Sequence, residues 1–424
     1  MSFAQALYRV ATTTAEPLLG LVMRRRLKAG KEVEGRVPER FGRSQAPALP
    51  QPLVWMHGAS IGETRLLLEL AKHLRDERPD LSILFTSQTV TAAQLIDADI
   101  ETDPRLTGAA RHQFAPIDTT AIAKRFLDHW QPSLWILAEG EIWPNLLREA
   151  RRRAIPTALI NARMTQASVK NWAKWPKLSR ALFGGFDLML AGDKQTAEGL
   201  TRLAGRTVES PGNLKASLPP PRHDPQEAKS LRANFLNGRA CLTAVSTHPG
   251  EEALVLDALD MITPRPACII VPRHPDRGAE IEALLKACKL SCAVRSKQTP
   301  PTPDTDVLLA DTLGEVGLFA SLADTVYLGG GHAPGIGGHN PLEITRLGKA
   351  VASGPDMFNF SDTKALLEGK RGFYFVDNAS ALAFGFPFDP PTDDLIREIE
   401  GMAQAPMDAT LQGLRPLLPQ EAEQ

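Results

Sequence analysis

The chain has 424 residues, 43% of them hydrophobic and 23% charged, which is too long for a single core and too apolar for extended disorder, so two domains are expected. A net charge of −1 conceals an asymmetry: residues 1–215 carry 30 basic and 22 acidic side chains, and the remainder 18 and 27. A basic first half suits an anionic partner such as a phosphate, a phospholipid headgroup or nucleic acid, or is simply a solvated surface. The four cysteines, Cys241, Cys268, Cys288 and Cys292, form no CxxC pair, and so support neither a disulfide framework nor a zinc site.

The first segment places Phe3, Leu7, Tyr8, Val10, Leu18, Leu19, Leu21, Val22 and Met23 ahead of Arg24, Arg25 and Arg26. It is too polar at Arg9, Glu16 and residues 12–14 for a spanning helix, and no cleavable signal is visible. An interfacial helix with its basic end near anionic headgroups is one reading, and a helix packed on the body of the protein is the other.

From residue 52 onward, short β-rich runs alternate with amphipathic stretches: VWMH (54–57), ILFTS (83–87), LWIL (134–137), TALIN (157–161) and LMLAG (188–192). Residues 64–75 put Leu66, Leu67, Leu70 and Leu74 on one helical face, as a helix covering a sheet does. This alternation predicts a mainly parallel sheet. Proline and charge interrupt it at residues 211–225, read as a linker, and it resumes with LTAVS (242–246), CIIVP (268–272), DVLLA (306–310), TVYLGG (325–330) and AVASG (350–354). The stretch at 296–306 reads as an exposed loop, and the last residues, PQEAEQ, as a fraying end.

In α/β sheets, ligands bind beyond the carboxyl ends of the strands. After the first strand comes HGASIGET (57–64), where Glu63 sits at the start of a helix; it is either a general base or a residue favoured there by the helix dipole. EGEIWPN (139–145) follows LWILA and brings Glu139 and Glu141, again as acid–base groups or as helix caps. GNLK (212–215) supplies the cation Lys215. In the second half Arg273 stands between Pro272 and Pro275, held in an extended segment suited to a phosphate. Asp311, Thr312, Leu313, Gly314 and Glu315 are expected to open a helix able to receive an anion. A glycine-dense stretch runs through GGHNPLE (337–343), where Glu343 suits a ribose. It is neither a Walker loop nor GxGxxG, and no metal-ligand pattern is present.

In order along the chain, RVPERFG (36–42), HGASIGET, EGEIWPN, NARMT (161–165), GNLK, STHPGEE (246–252), VPRHP (271–275), DTLGE (311–315), GGHNPLE and GPDMFNF (354–360) resemble the 3-deoxy-D-manno-octulosonic acid (Kdo) transferases. The resemblance spans residues 36–360. It implies an α/β fold of two Rossmann-like domains facing a cleft, the GT-B glycosyltransferase fold, with an N-terminal membrane-associated helix. The expected boundaries are 1–50 for that helix and its connection, 51–215 for the acceptor-binding domain and 226–424 for the CMP-sugar-binding domain.

By position, the resemblance makes Glu63 the general base and makes Glu139 and Lys215 the transition-state stabilisers. It assigns CMP binding to Pro272 and Arg273, to Leu313, Gly314 and Glu315, and to Asn340, Pro341, Leu342 and Glu343. The implied reaction is inverting transfer of Kdo from CMP-Kdo to a lipid A precursor at the cytoplasmic face of the inner membrane, in lipopolysaccharide synthesis. Anionic membrane lipid is an implied partner; no cofactor, metal or nucleic acid is implied. Three departures stand out: Gly140 where Thr is common, Leu313 where Met is usual, and a less apolar N-terminal helix. Arg163, Lys170, Lys174 and Lys177, interleaved with Trp172 and Trp175, read as a lipid-phosphate patch or as a plain surface helix.

Overall fold

A computed structural model describes residues 3–220 and 223–420; the last four residues of the PQEAEQ end lie outside that range. The chain divides into two units. One runs through Leu218 and resumes at Ala403, and the other comprises Pro219–Met402.

In the first unit, the described residues form a six-stranded parallel sheet of β1 (Leu53–His57), β2 (Ser82–Ser87), β3 (Ala110–Phe114), β4 (Leu134–Ala138), β5 (Thr157–Ala162) and β6 (Leu188–Ala191), in the order β3-β2-β1-β4-β5-β6. Every residue of β1, β2, β4 and β5 is buried, as expected of parallel strands covered on both faces. On one face Trp55 stacks on Trp135, with centroids 4.1 Å apart and planes 5° from parallel. On the other, Val54 and Met56 meet Leu66, Leu67, Leu70 and Leu74 of the helix Ile61–Glu77. Each fully buried leucine contributes about 1.5–3 kcal/mol. Helices that follow strands start on side-chain caps: Ser60, Thr89, Thr119 and Asp193 each accept a backbone N–H three residues on, at about 1 kcal/mol per cap.

Strand β3 is not among the β-rich runs read from the sequence, because Arg111, His112 and Gln113 interrupt the apolar pattern. It is an edge strand whose polar side chains are satisfied internally. Trp130 Nε1 donates to Gln113 Oε1 at 2.8 Å, and the His112 ring lies between Ser87 Oγ, at 2.9 Å from Nε2, and the Arg36 guanidinium, at 2.8 Å from Nδ1. The RVPERFG motif is explained here. Arg40 is 3% exposed and donates to Glu32, to the Ser87, Gln88 and Ala115 carbonyls and to the Gln88 side chain, which ties together the ends of β2 and β3.

In the second unit, the described residues form a seven-stranded parallel sheet of β7 (Cys241–Thr247), β8 (Ala267–Pro272), β9 (Cys292–Val294), β10 (Val307–Leu309), β11 (Thr325–Leu328), β12 (Ala350–Ser353) and β13 (Phe373–Phe375), in the order β13-β12-β11-β7-β8-β10-β9. The two edge strands, three residues each, carry too short a pattern to be read from sequence.

One boundary expectation is corrected. Residues 226–424 do not form one domain, because the helix Asp393–Leu414 ends in the first unit. There Met407, Leu411 and Leu414 enter the core beside Leu134, Ile136 and Leu214. That apolar stripe at three- and four-residue spacing needs a partner surface, and the first sheet provides it.

The N-terminal segment forms helices Phe3–Ala15 and Leu19–Lys28, joined by the 3-10 turn Glu16–Leu18. Among the described residues, no helix is long and apolar enough to cross a membrane.

Candidate active site

The strand order of the first unit reverses between β1 and β4, so the loops after these two strands diverge and leave a crevice. Both carboxylate motifs of the first half lie there. After β1 the chain turns at Gly58, where a Cβ would lie 2.9 Å from the Glu63 Cβ and 3.0 Å from Leu67; any larger residue would push the helix away. Glu63 is 7% exposed. Its Oε1 accepts the Ser60 hydroxyl at 2.7 Å and its Oε2 the Ala59 N–H at 2.8 Å, while Ser60 Oγ accepts the Glu63 N–H at 3.3 Å. This is a variant of the capping box in which the carboxylate accepts the amide before the N-cap and the N-cap hydroxyl. It fixes the carboxylate in one orientation and leaves each oxygen a lone pair with which to accept a proton.

After β4, Glu139 adopts a left-handed backbone with φ 63°. Its amide donates to the Ile160 carbonyl and its carbonyl accepts the Arg163 amide, which anchors the loop to the end of β5. Lys215 Nζ lies 2.6 Å from Glu139 Oε1, and Asn161 Nδ2 donates to the same oxygen at 3.3 Å. Asn161, also left-handed at φ 47°, accepts the Leu214 amide on its Oδ1 at 2.9 Å. One side chain thus orients the carboxylate and positions the segment carrying Lys215. Leu214 is buried in the core and fixes that segment further. A Cβ on Gly62 would lie 3.1 Å from Lys215 Nζ, so the ammonium sits against the start of the helix that bears Glu63. Glu63, Glu139 and Lys215 therefore converge, with the helix dipole and the ammonium supplying positive potential.

Glu141 faces the other way, toward β1. The fully buried His57 ring holds Glu141 Oε2 at 3.1 Å through Nε2, and its Nδ1 lies 2.9 Å from Thr86 Oγ1. Thr86 in turn accepts the Trp55 indole N–H at 2.8 Å. Burial pushes the Glu141 carboxyl up, but the hydrogen bonds from His57 and Gln88 and the nearby His57 charge bring it below the ordinary value. Trp143 covers the ring, with centroids 4.2 Å apart. No linear motif marks Thr86 or Gln88: Thr86 joins the site through the sheet register His57↔Thr86, and Gln88, just past β2, through its side-chain bond to Glu141.

In the second unit the order reverses at β7 and β11. Glu251, 1% exposed, accepts the His248, Gly330 and His332 amides and the Tyr327 hydroxyl at 2.8–3.3 Å. It pins the glycine-rich loop to the end of β7, a role the sequence did not reveal. Glu252 is likewise buried and pairs with Arg277 through both oxygens. Arg273 follows β8, exposed and, among the described residues, without a side-chain partner. His339 stacks on His248, with their Nε2 atoms 2.9 Å apart. Burial and the charges of Arg273, His248 and His274 push its imidazole down to about 4.

Pro272, Pro341 and Leu342 are buried. Asn340 Oδ1 accepts the Leu342 amide, and its Nδ2 donates to Glu343 Oε1 at 3.2 Å. The helix expected at 311–315 instead starts at Val316. Gly314 holds the left-handed turn that delays it, with φ 86°, and leaves Leu313 71% exposed. Glu315 is taken up by Arg295 and by the Thr312 hydroxyl.

Two parallel α/β units of this kind make the GT-B fold. A solved glycosyltransferase from Rickettsia africae superposes over 86% of this chain and 93% of its own, at 12% identity and a TM-score of 0.52. Residues 35–218 match the family model described as 3-Deoxy-D-manno-octulosonic-acid transferase (kdotransferase). A probable mitochondrial 3-deoxy-D-manno-octulosonic acid transferase of Arabidopsis thaliana is 34% identical over 85% of this chain and 81% of its own length, and the transferase of Bordetella pertussis is 34% identical over 84% and 85%. The chain belongs to the 3-deoxy-D-manno-octulosonic acid transferase family and is a glycosyltransferase.

Proposed function

We propose that this enzyme moves Kdo from CMP-Kdo to a hydroxyl of a lipid A precursor with inversion, and that Glu63 is the general base. The observation that carries the reading is the convergence of Glu63, Glu139 and Lys215 beside one helix start. Glu63 takes the hydroxyl proton as the acceptor oxygen bonds to the anomeric carbon; the bond from that carbon to the phosphate oxygen breaks and CMP leaves. A single displacement inverts the centre. Lys215, held by Glu139, offsets negative charge that grows in the transition state. In the second unit, Arg273 suits the CMP phosphate, Leu313 and Gly314 offer an open surface and backbone to the nucleoside, and Asn340 with Glu343 offers polar contacts; Glu315 orders this loop through Arg295.

The N-terminal helices support attachment to the face of an anionic membrane. Their hydrogen-bonding side is turned inward: the Tyr8 hydroxyl bonds Asp118, Thr12 bonds Asn145 and Glu16 bonds Thr119. Leu7, Val10, Leu18, Leu21 and Val22 are left 45–63% exposed on the other side, beside Arg24 and Arg25. A helix that offers its apolar face outward and carries basic residues at its end suits a headgroup boundary.

Mass spectrometry of a lipid A precursor incubated with the protein and CMP-Kdo tests the reading. The product is expected to gain one or more Kdo masses with wild type and none with Glu63→Ala. Transfer from a UDP-sugar but not from CMP-Kdo would overturn the donor assignment.

A further inference from the structure

A second concavity of the first unit lies beyond the site described above. The helices Gln166–Ala173, Pro176–Phe183 and Lys194–Ala204 enclose a cavity of about 480 Å³, within the range of small-ligand pockets. Its floor is apolar, formed by Met164, Val169, Ala173 and Leu203. Four cations ring it, Lys170, Lys177, Arg180 and Arg202, against the single carboxylate Glu198. The cations come from three different helices, so tertiary packing rather than a local charge run gathers them. The cavity also borders the catalytic loop: Met164 follows Arg163, whose amide bonds the Glu139 carbonyl. An apolar floor under a cationic ring selects a ligand with an acyl chain and an anionic head.

We infer that this cavity is a subsite for the acceptor, gripping a phosphate of the phosphorylated glycolipid with Lys170, Lys177, Arg180 and Arg202 while an acyl chain covers Val169, Ala173 and Leu203. The inference rests on the proposed lipid acceptor and adds how that acceptor is held. No bond is made or broken here; the four cations are binding residues, distinct from the three groups at the helix start.

The test compares Arg180→Ala/Arg202→Ala and Glu198→Gln with wild type, using the full chain at saturating CMP-Kdo and a bisphosphorylated lipid A precursor or the same lipid after phosphatase treatment. With the phosphorylated lipid, the double variant is expected to raise the acceptor KM about tenfold with kcat nearly kept. Glu198→Gln lowers that KM, a direction that damage to packing does not produce. With the dephosphorylated lipid, the ratio of variant to wild-type KM shrinks toward one. An unchanged KM, or an equal rise with both lipids, overturns the subsite.

Sedimentation of the proteins with vesicles containing each lipid separates this inference from the reaction it rests on. If wild type transfers nothing yet binds phosphorylated lipid through these arginines, the reaction assignment falls and the subsite stands. If the double variant binds both vesicles as wild type does, the subsite falls whatever the activity. Inorganic phosphate that competes as well as the lipid would show a free-anion site and also overturn it.

Discussion

Glu63→Gln separates proton abstraction from helix capping at the residue where the two meet. Glutamine keeps the shape of the capping box: its amide oxygen accepts the Ala59 N–H, now at 2.8 Å, and its amide nitrogen faces the Ser60 hydroxyl, which has a lone pair to spare. The stability loss is expected to be about 1 kcal/mol or less. Glu63→Ala removes both acceptors at a nearly buried position and costs about 1–3 kcal/mol, which lowers Tm by several degrees in a unit of this size. Neither variant holds a basic carboxylate, so kcat falls about 10²–10⁴-fold in both. Initial rates at saturating CMP-Kdo, measured beside thermal melts, resolve the two roles. If Glu63→Gln melts like wild type and transfers within about threefold of its rate, the residue is a cap and the proposed mechanism fails.

Lys215→Ala leaves Glu139 held only by Asn161 and is expected to lower kcat/KM about 10²–10³-fold with Tm changed by little; a change mainly in Tm, with kcat/KM preserved, would make the pair structural. Glu251→Ala strands three buried N–H groups and a hydroxyl, so it should cost about 3–5 kcal/mol and weaken CMP binding measured by calorimetry; wild-type affinity would show that the glycine-rich loop holds without it. His339 titrates at about 4 against 6.5 in the unfolded chain, because burial and its cationic neighbours disfavour the imidazolium. The unfolded state therefore takes up the proton first, and this contribution is fully present above pH 6.5 and lost as pH falls toward 4. Urea midpoints of wild type should drop more steeply from pH 7 to 4.5 than those of His339→Gln, and parallel curves would remove His339 from the account. Leu18→Ser/Leu21→Ser should release the protein from anionic vesicles with Tm kept; undiminished binding would refute the interfacial reading.

The first sheet was legible where burial on both faces writes an unbroken apolar run, as in LWIL and ILFTS. It was not legible at β3, where Trp130 satisfies Gln113, Ser87 and Arg36 satisfy His112, and the Pro47 carbonyl accepts from Arg111. Nor was the end of the chain. The stripe Met407, Leu411 and Leu414 announces a buried face, but a stripe does not name the sheet that buries it. The rule that ligands bind beyond the carboxyl ends of strands singled out Glu63, Glu139 and Glu141, because it needs only the positions of the strands along the chain. It did not distinguish the two acids after β4, since their directions depend on the backbone of Glu139.

That backbone is where local and distant information meet. An ordinary conformation at Glu139 would turn its carboxylate away from Lys215; the left-handed one requires the loop to be tied down on both sides, and the amide and carbonyl bonds to β5 do so. Asn161 takes the same conformation at the end of the next strand, which its short amide side chain tolerates. It spends that amide on Glu139 and on the Leu214 backbone together. Asn161 and Leu214 are therefore supports for the pair, just as RVPERFG supports the ends of β2 and β3. Asn161→Ala tests this, because it touches no reacting group: it should lower kcat/KM less than Lys215→Ala, and Asn161→Asp, which restores the acceptor for Leu214 but repels Glu139, should recover stability without recovering rate. Full recovery of rate in the aspartate variant would mean that Asn161 acts only through the Leu214 segment and that Glu139 needs no second partner.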